Sequence, residues 1–105
     1  MVNQVRVGLP VAEIRAYCRQ QPIQRLALFG SVLRDDFNAE SDVDMLVEFQ
    51  PGAKVSYFKL VEIQDDLSAL VERPVDLLTP KALSPYFRER ILNTAQVIYE
   101  AQRDE

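Results

Sequence analysis

The sequence contains no histidine and only one cysteine among its 105 residues. The lack of histidine excludes catalytic triads and metal sites that depend on an imidazole, so proton transfer must use carboxylates, lysine, tyrosine or water. The single cysteine, Cys18, cannot form an internal disulfide, which is typical of a reducing compartment. Because Cys18 falls within an apolar stripe, we expect it to fill the core rather than to act as a reactive thiol.

Long apolar segments and an excess of positive charge are also missing. No hydrophobic run approaches the roughly 20 residues that cross a bilayer, and the N-terminal residues lack the apolar segment of a signal peptide. We therefore expect a cytoplasmic protein that does not associate with membranes. Twelve Lys and Arg against 16 Asp and Glu give a net charge of −4. Such an acidic protein is not expected to bind nucleic acid on its own.

The chain has the length of one domain, which we predict over residues 1–105. Helices are predicted where apolar side chains recur at helical spacing, and strands where runs are short and apolar or alternating. The predicted order is helix 11–20, strand 23–29, a turn and loop, strand 42–49, helix 56–72, strand 74–78 and helix 84–102. This order indicates a small α/β (α+β) domain, in which helices pack on one face of a mixed sheet of about three to four strands.

Two carboxylates stand two residues apart at the start of the second predicted strand. Side chains alternate between the faces of a strand, so Asp42 and Asp44 leave the same face. Close carboxylates repel each other unless a cation neutralises them, and Mg²⁺ prefers oxygen ligands. The alternative is an ordinary acidic face exposed to solvent, which is the better interpretation of an isolated Asp-x-Asp.

The sequence upstream of the acids favours a metal site. There the predicted strand segment LALF runs directly into Gly30-Ser31. Gly30 has no Cβ and would let a phosphate approach the main chain, while Ser31 offers a hydroxyl and, if it opens a short helix, free N–H groups nearby. Phosphate at the turn and metal at the carboxylates would together form a nucleoside triphosphate site, although Gly-Ser alone could simply connect two elements.

A third acid, Asp76, lies inside the apolar strand Pro74–Leu78. A carboxylate in the middle of a buried strand is costly unless it is paired or bound to a metal. If this strand neighbours the one that carries Asp42 and Asp44, the three carboxylates could converge on a two-metal site. Without histidine, Asp76 is the natural candidate to accept a proton from an attacking hydroxyl. The alternative role for Asp76 is a salt bridge to an arginine.

These residues resemble the nucleotidyltransferase superfamily that includes DNA polymerase beta. The shared pattern is Gly-Ser, ten residues, Asp-x-Asp and a later third Asp, and here it reads GS-VLRDDFNAES-DVD with VDLL around Asp76. The longer run FGSVLRDDFNAESDVDMLVEF is similar to the minimal nucleotidyltransferases in particular. Those proteins carry an Arg three residues after the Ser, as Arg34 is here, and a Ser before the first Asp, as Ser41 is here.

The resemblance implies the polymerase beta-like fold and a metal-dependent transfer of a nucleoside monophosphate to a hydroxyl. ATP would be the substrate and Mg²⁺, with two ions expected, the cofactor. By this resemblance the catalytic and metal-binding residues are Asp42, Asp44 and Asp76, and the nucleotide-binding residues are Gly30, Ser31, Arg34 and Ser41. Arg34 is equally well explained as a brace for the loop.

Minimal members of this superfamily are often antitoxins paired with a HEPN-domain ribonuclease toxin. The resemblance therefore implies a hetero-oligomer in which this chain transfers AMP to a tyrosine of the toxin. Two alternatives stay open: an antitoxin that only occludes the toxin, and a stand-alone enzyme that modifies a small molecule. The intact set of acids favours activity over occlusion, and the lack of an acceptor-binding domain disfavours a small-molecule substrate.

Overall fold

The computed structural model describes residues 9–30 and 42–101. Ser31, Arg34 and Ser41, together with the predicted short helix and loop, lie outside the described residues. The elements in chain order are α1 Val11–Arg19, β1 Ile23–Phe29, β2 Val43–Phe49, α2 Tyr57–Val71, β3 Val75–Leu78, α3 Pro85–Thr94 and β4 Gln96–Glu100, with a 3₁₀ turn at Pro80–Ala82. None of the described helices is long and apolar enough to span a membrane.

The four strands form one mixed sheet in the order β3-β2-β1-β4. The central strand β1 pairs antiparallel with both β2 and β4, whereas β2 and β3 run parallel. The parallel pair is joined through α2, since parallel neighbours need a crossover connection. The predicted α/β class with a small mixed sheet is confirmed.

The main core lies between one face of the sheet and the helices α1 and α2. Fully buried Ile14 and Cys18 stand one turn apart on α1, and Ile63, Leu67 and Val71 follow the same spacing on α2. At the start of α2, the Ser56 hydroxyl accepts a hydrogen bond from the Lys59 N–H at 3.1 Å, as expected for an N-cap. The cap and the apolar stripe together fix α2 against the sheet.

The opposite face of the sheet carries a smaller core, which includes α3. Its buried members are Ala27, Phe29, Leu46 and Leu83, with Leu78, Ile91 and Ala95 packed against them. The prediction that the helices share one face is therefore wrong for α3, whose Ile91 belongs to this second cluster. Arg88 of α3 ties the preceding turn in place by donating hydrogen bonds to the carbonyls of Pro80 at 2.8 Å and Leu83 at 3.0 Å.

The predicted helix 84–102 is wrong in its second half. The helix ends at Thr94, and residues 96–100 form β4 instead. The run Val97-Ile98-Tyr99 consists of β-branched and aromatic residues, which pair well with β1 and bury Ile98. Aromatic side chains of the last two helices lie outside the core, since Phe58 is 84% exposed and Phe87 54% exposed.

Candidate functional site

The parallel pairing of β2 and β3 places two of the predicted acids side by side. Asp44 is the register partner of Asp76. Paired positions of neighbouring strands lie about 5 Å apart and direct their side chains to the same face of the sheet. This is the face that carries Leu46 and Leu78, opposite to the main core. The expected adjacency of the strands that carry Asp44 and Asp76 is present.

Asp76 is exposed, which contradicts the interpretation of this residue as a carboxylate in the middle of a buried strand. Its neighbours Val75 and Leu77 are 7% and 4% exposed and point into the main core, while Asp76 points away from it. The run VDLL is apolar because one face of a short strand is fully covered, and not because both faces are. The desolvation cost attributed to Asp76 is therefore absent. Within residues 9–30 and 42–101, no arginine or lysine forms an ion pair with Asp76, so the salt-bridge alternative is not realised there.

Asp42, the remaining acid of the predicted set, is exposed and lies immediately before β2. Asp44 is half-buried, in keeping with its place inside the strand. In the part of the chain that the structure describes, no three acidic side chains are close enough to form a ready-made metal site. The backbone register holds Asp44 beside Asp76 even though two close carboxylates repel each other. This all-oxygen donor set fits Mg²⁺, which prefers hard oxygen ligands.

Gly30 lies directly against Asp44. Phe29, the last residue of β1, is the register partner of Asp44, so the chain leaves the strand at the level of the acid. Gly30 has φ +78°, and a Cβ added there would overlap the Asp44 carboxylate and lie 3.2 Å from its Cγ. A side chain at this position would thus be strained and would displace the acid. The close contact with Asp44 is therefore a structural reason for glycine at position 30. The sequence prediction missed this reason and gave only the approach of a phosphate.

A groove of about 360 Å³ lies on the same face of the sheet as Asp44. Its lining includes Leu46, two residues along β2 from Asp44, and the ion pair of Arg25 with Glu48 at 3.0 Å. Arg25 also contacts Glu100 at 3.0 Å, which completes a cluster of three charged residues. These contacts raise the pKa of Arg25. Sequence reasoning missed the cluster, because its members come from three strands and only the final register brings them together.

Comparison with known proteins places most of the chain in one family. The family described as nucleotidyltransferase domain matches residues 11–98. A candidate protein adenylyltransferase of Methanocaldococcus jannaschii is 37% identical over 73 residues, which are 70% of this chain and 76% of that protein. The protein adenylyltransferase MntA of Thermococcus cleftensis is 31% identical over 77 residues, 73% of this chain and 74% of that protein.

Solved structures show the same fold. A candidate minimal nucleotidyltransferase superposes with a TM-score of 0.67 at 28% identity, covering 81% of this chain and 85% of that one. A toxin–antitoxin complex crystallised with AMP-PNP contains a chain that superposes with a TM-score of 0.72 at 20% identity, covering 90% of this chain and 76% of that one. The match over residues 11–98 includes Gly30, Asp44 and Asp76. The chain belongs to the nucleotidyltransferase domain family.

Proposed function

We propose that this protein transfers AMP from ATP to a tyrosine hydroxyl of a HEPN-domain toxin and thereby acts as its antitoxin. The observation that carries the proposal is the placement of Asp44 beside Asp76, with Gly30 packed against Asp44. Carboxylates on adjacent strands next to a glycine turn suit a metal-bound triphosphate. The names of the relatives support a protein as acceptor, since both are described as protein adenylyltransferases.

In this proposal the three acids have different roles in binding the triphosphate and transferring the proton. Asp42 and Asp44 hold the magnesium-bound triphosphate, and the turn at Gly30-Ser31 receives its terminal phosphates, with Arg34 and Ser41 as further nucleotide contacts. Asp76 faces the acceptor and takes the hydroxyl proton. The acceptor oxygen then bonds to the α-phosphorus, the bond from the α-phosphorus to the bridging oxygen breaks, and pyrophosphate leaves. Two Mg²⁺ ions held by the three acids would neutralise the phosphate charge and lower the pKa of the hydroxyl.

A partner protein as acceptor is supported by the solved relatives. One of them is a complex of a tri-AMPylated HEPN toxin from Shewanella oneidensis with an MNT antitoxin, and a chain of this complex superposes on the present one with a TM-score of 0.63. The net charge of −4 suits a more basic partner.

A labelled-ATP assay on the complex with the HEPN partner tests the proposal. We expect Mg²⁺-dependent label on the partner with the wild-type chain and none with Asp44→Asn or Asp76→Asn. Asp65→Asn, on the exposed side of α2, is the matched control and should label the partner like the wild type. If the Asp44→Asn chain leaves the partner unlabelled but still neutralises it, the protein acts by occluding the toxin instead. Label on a small molecule in place of the partner would indicate a stand-alone enzyme.

A further inference from the structure

β3 lies at the edge of the described sheet, and side chains of α2 accept hydrogen bonds from its outer side. Among the strands that the structure describes, in the order β3-β2-β1-β4, β3 pairs on one side only, with β2. On its other side, the Val75 N–H donates to the Ser68 hydroxyl at 2.9 Å and the Leu77 N–H donates to the Gln64 side-chain oxygen at 3.0 Å. Both acceptors are part-buried side chains of α2, and they stand four residues apart on one side of that helix.

These two bonds bracket Asp76. Val75 and Leu77 are its immediate neighbours, so the backbone is held on each side of the acid. Ser68 also connects this point to the end of α2, because its carbonyl accepts hydrogen bonds from Glu72, the left-handed C-cap, and from Arg73 at 3.3 Å. On the inner side, the Pro74 carbonyl accepts from the Val43 N–H at 2.9 Å. The main chain that carries Asp76 is thus fixed from both sides of a strand only four residues long.

Among residues 9–30 and 42–101, no comparable hydrogen bond supports the side chain of Asp76. It is exposed, and the register of β3 on β2 sets its place beside Asp44. A short edge strand with open N–H groups would fray or slip, and a slip by one residue would turn Asp76 to the other face. The hydrogen bonds from α2 remove that freedom, since α2 is itself anchored by Ile63, Leu67 and Val71 in the main core.

We propose that Gln64 and Ser68 are positioning residues, which hold Asp76 in register with Asp44 for the transfer reaction. The expected change in transfer rate rests on the proposed function. The expected change in the register of β3 rests on the two hydrogen bonds alone. A displacement of a reacting group by about 1 Å can cost on the order of 100-fold in rate. Loss of either acceptor should therefore slow the chemical step, and leave the binding of the triphosphate at Asp42, Asp44 and Gly30 nearly unchanged.

The test compares variants that remove or retain the acceptor atom. Gln64→Leu keeps the size of the side chain without its oxygen, whereas Gln64→Glu keeps an oxygen that can accept from Leu77. Ser68→Ala and Ser68→Thr form the corresponding pair. Ser56→Ala is the matched control, because it removes a serine that accepts a backbone N–H on the same helix but at the end away from β3.

In complex with the HEPN partner, we expect Gln64→Leu and Ser68→Ala to lower kcat by about 10- to 100-fold, with KM for ATP within about twofold of the wild type. Gln64→Glu and Ser68→Thr should recover most of kcat, and Ser56→Ala should keep it within about twofold. A kcat for Gln64→Leu equal to that of Ser56→Ala at the same fraction of folded protein would overturn the inference.

Two measurements on the chain without its partner decide the inference even if transfer fails in the wild type. Amide exchange at Leu77 should accelerate at least tenfold in Gln64→Leu and stay unchanged in Ser56→Ala. Added Mn²⁺ should broaden the NMR signals of Asp44 and Asp76 together in the wild type, and that of Asp76 less than that of Asp44 in Gln64→Leu. Unchanged exchange, equal broadening in both proteins, or no broadening of Asp76 in the wild type would each contradict it.

Discussion

The contact between Gly30 and Asp44 gives the sharpest mutational prediction. Gly30→Ala places a methyl group where the Asp44 carboxylate lies, at 3.2 Å from its Cγ and 3.3 Å from its Cβ, on a backbone with φ +78°. The left-handed backbone costs an alanine about 1–2 kcal/mol. The overlap cannot be relieved by the alanine itself, because its methyl group has no torsion that moves the carbon away. We therefore expect the carboxylate of Asp44 to move.

The backbone strain and the displacement of the Asp44 carboxylate are detected by different measurements. The backbone strain lowers the free energy of unfolding by about 1–2 kcal/mol, which urea titration detects. A shift of the Asp44 carboxylate by about 1 Å should lower the rate of AMP transfer by about 100-fold, equivalent to about 2.7 kcal/mol in the activation free energy. The transfer rate should therefore fall much more than the unfolded fraction of the variant can explain.

Gly52 supplies a matched control for this prediction. It has φ +83°, close to that of Gly30, but a Cβ added there would have no heavy atom within 4 Å. Gly52→Ala should lose the same about 1–2 kcal/mol of stability and keep its transfer rate within about twofold. Equal rates for the two alanine variants at matched folded fraction would refute the proposed role of the Gly30–Asp44 contact.

Three further predictions concern side-chain protonation and stability. Burial raises the pKa of the Cys18 thiol from 9.0 to about 11, so the folded state loses about 2 kcal/mol of stability as the pH rises from 9 to 11. Urea titrations of Cys18→Ala should show a flatter decline, and an equal decline would contradict the burial of the thiol. Burial and the 2.7 Å hydrogen bond to Asp66 raise the pKa of Tyr17 as well, so its phenol should stay protonated in the folded protein well above pH 10, which ultraviolet titration measures against Tyr17→Phe. Arg25→Met should cost less than about 1 kcal/mol, with a smaller effect at 1 M salt, because the Arg25 side chain is 38% exposed and water screens its ion pairs. A larger, salt-independent loss would indicate a packing role.

Much of the fold follows from local sequence patterns. The strand β1 matches its predicted bounds, and α2 differs by one residue at each end, because Ser56 caps it and a left-handed Glu72 ends it. β4 could not be found in this way, since apolar residues at 95 and 98 continue the helical spacing of α3. Pairing with β1, a contact between distant parts of the chain, decides the structure there.

The site was predictable to the extent that it depends on strand periodicity. Alternation along the strand predicted that Asp42 and Asp44 leave the same face, and the motif spacing singled out Gly30. The exposure of Asp76 was not predictable, because the run VDLL does not reveal that only one face of β3 is fully covered. The support from Gln64 and Ser68 was hidden for a related reason, since polar residues on a helix usually face solvent and only the tertiary structure turns these two toward an edge strand.

Mass spectrometry of the HEPN-domain partner, co-expressed with this chain and sought first in the neighbouring reading frame, tests the central claim most directly. We predict that a tyrosine of the partner carries AMP when the wild-type chain is present, and that the modification is lost with Asp44→Asn and with Asp76→Asn. The Gly52→Ala chain should modify the partner like the wild type. An unmodified partner that the wild-type chain nevertheless neutralises would contradict the account.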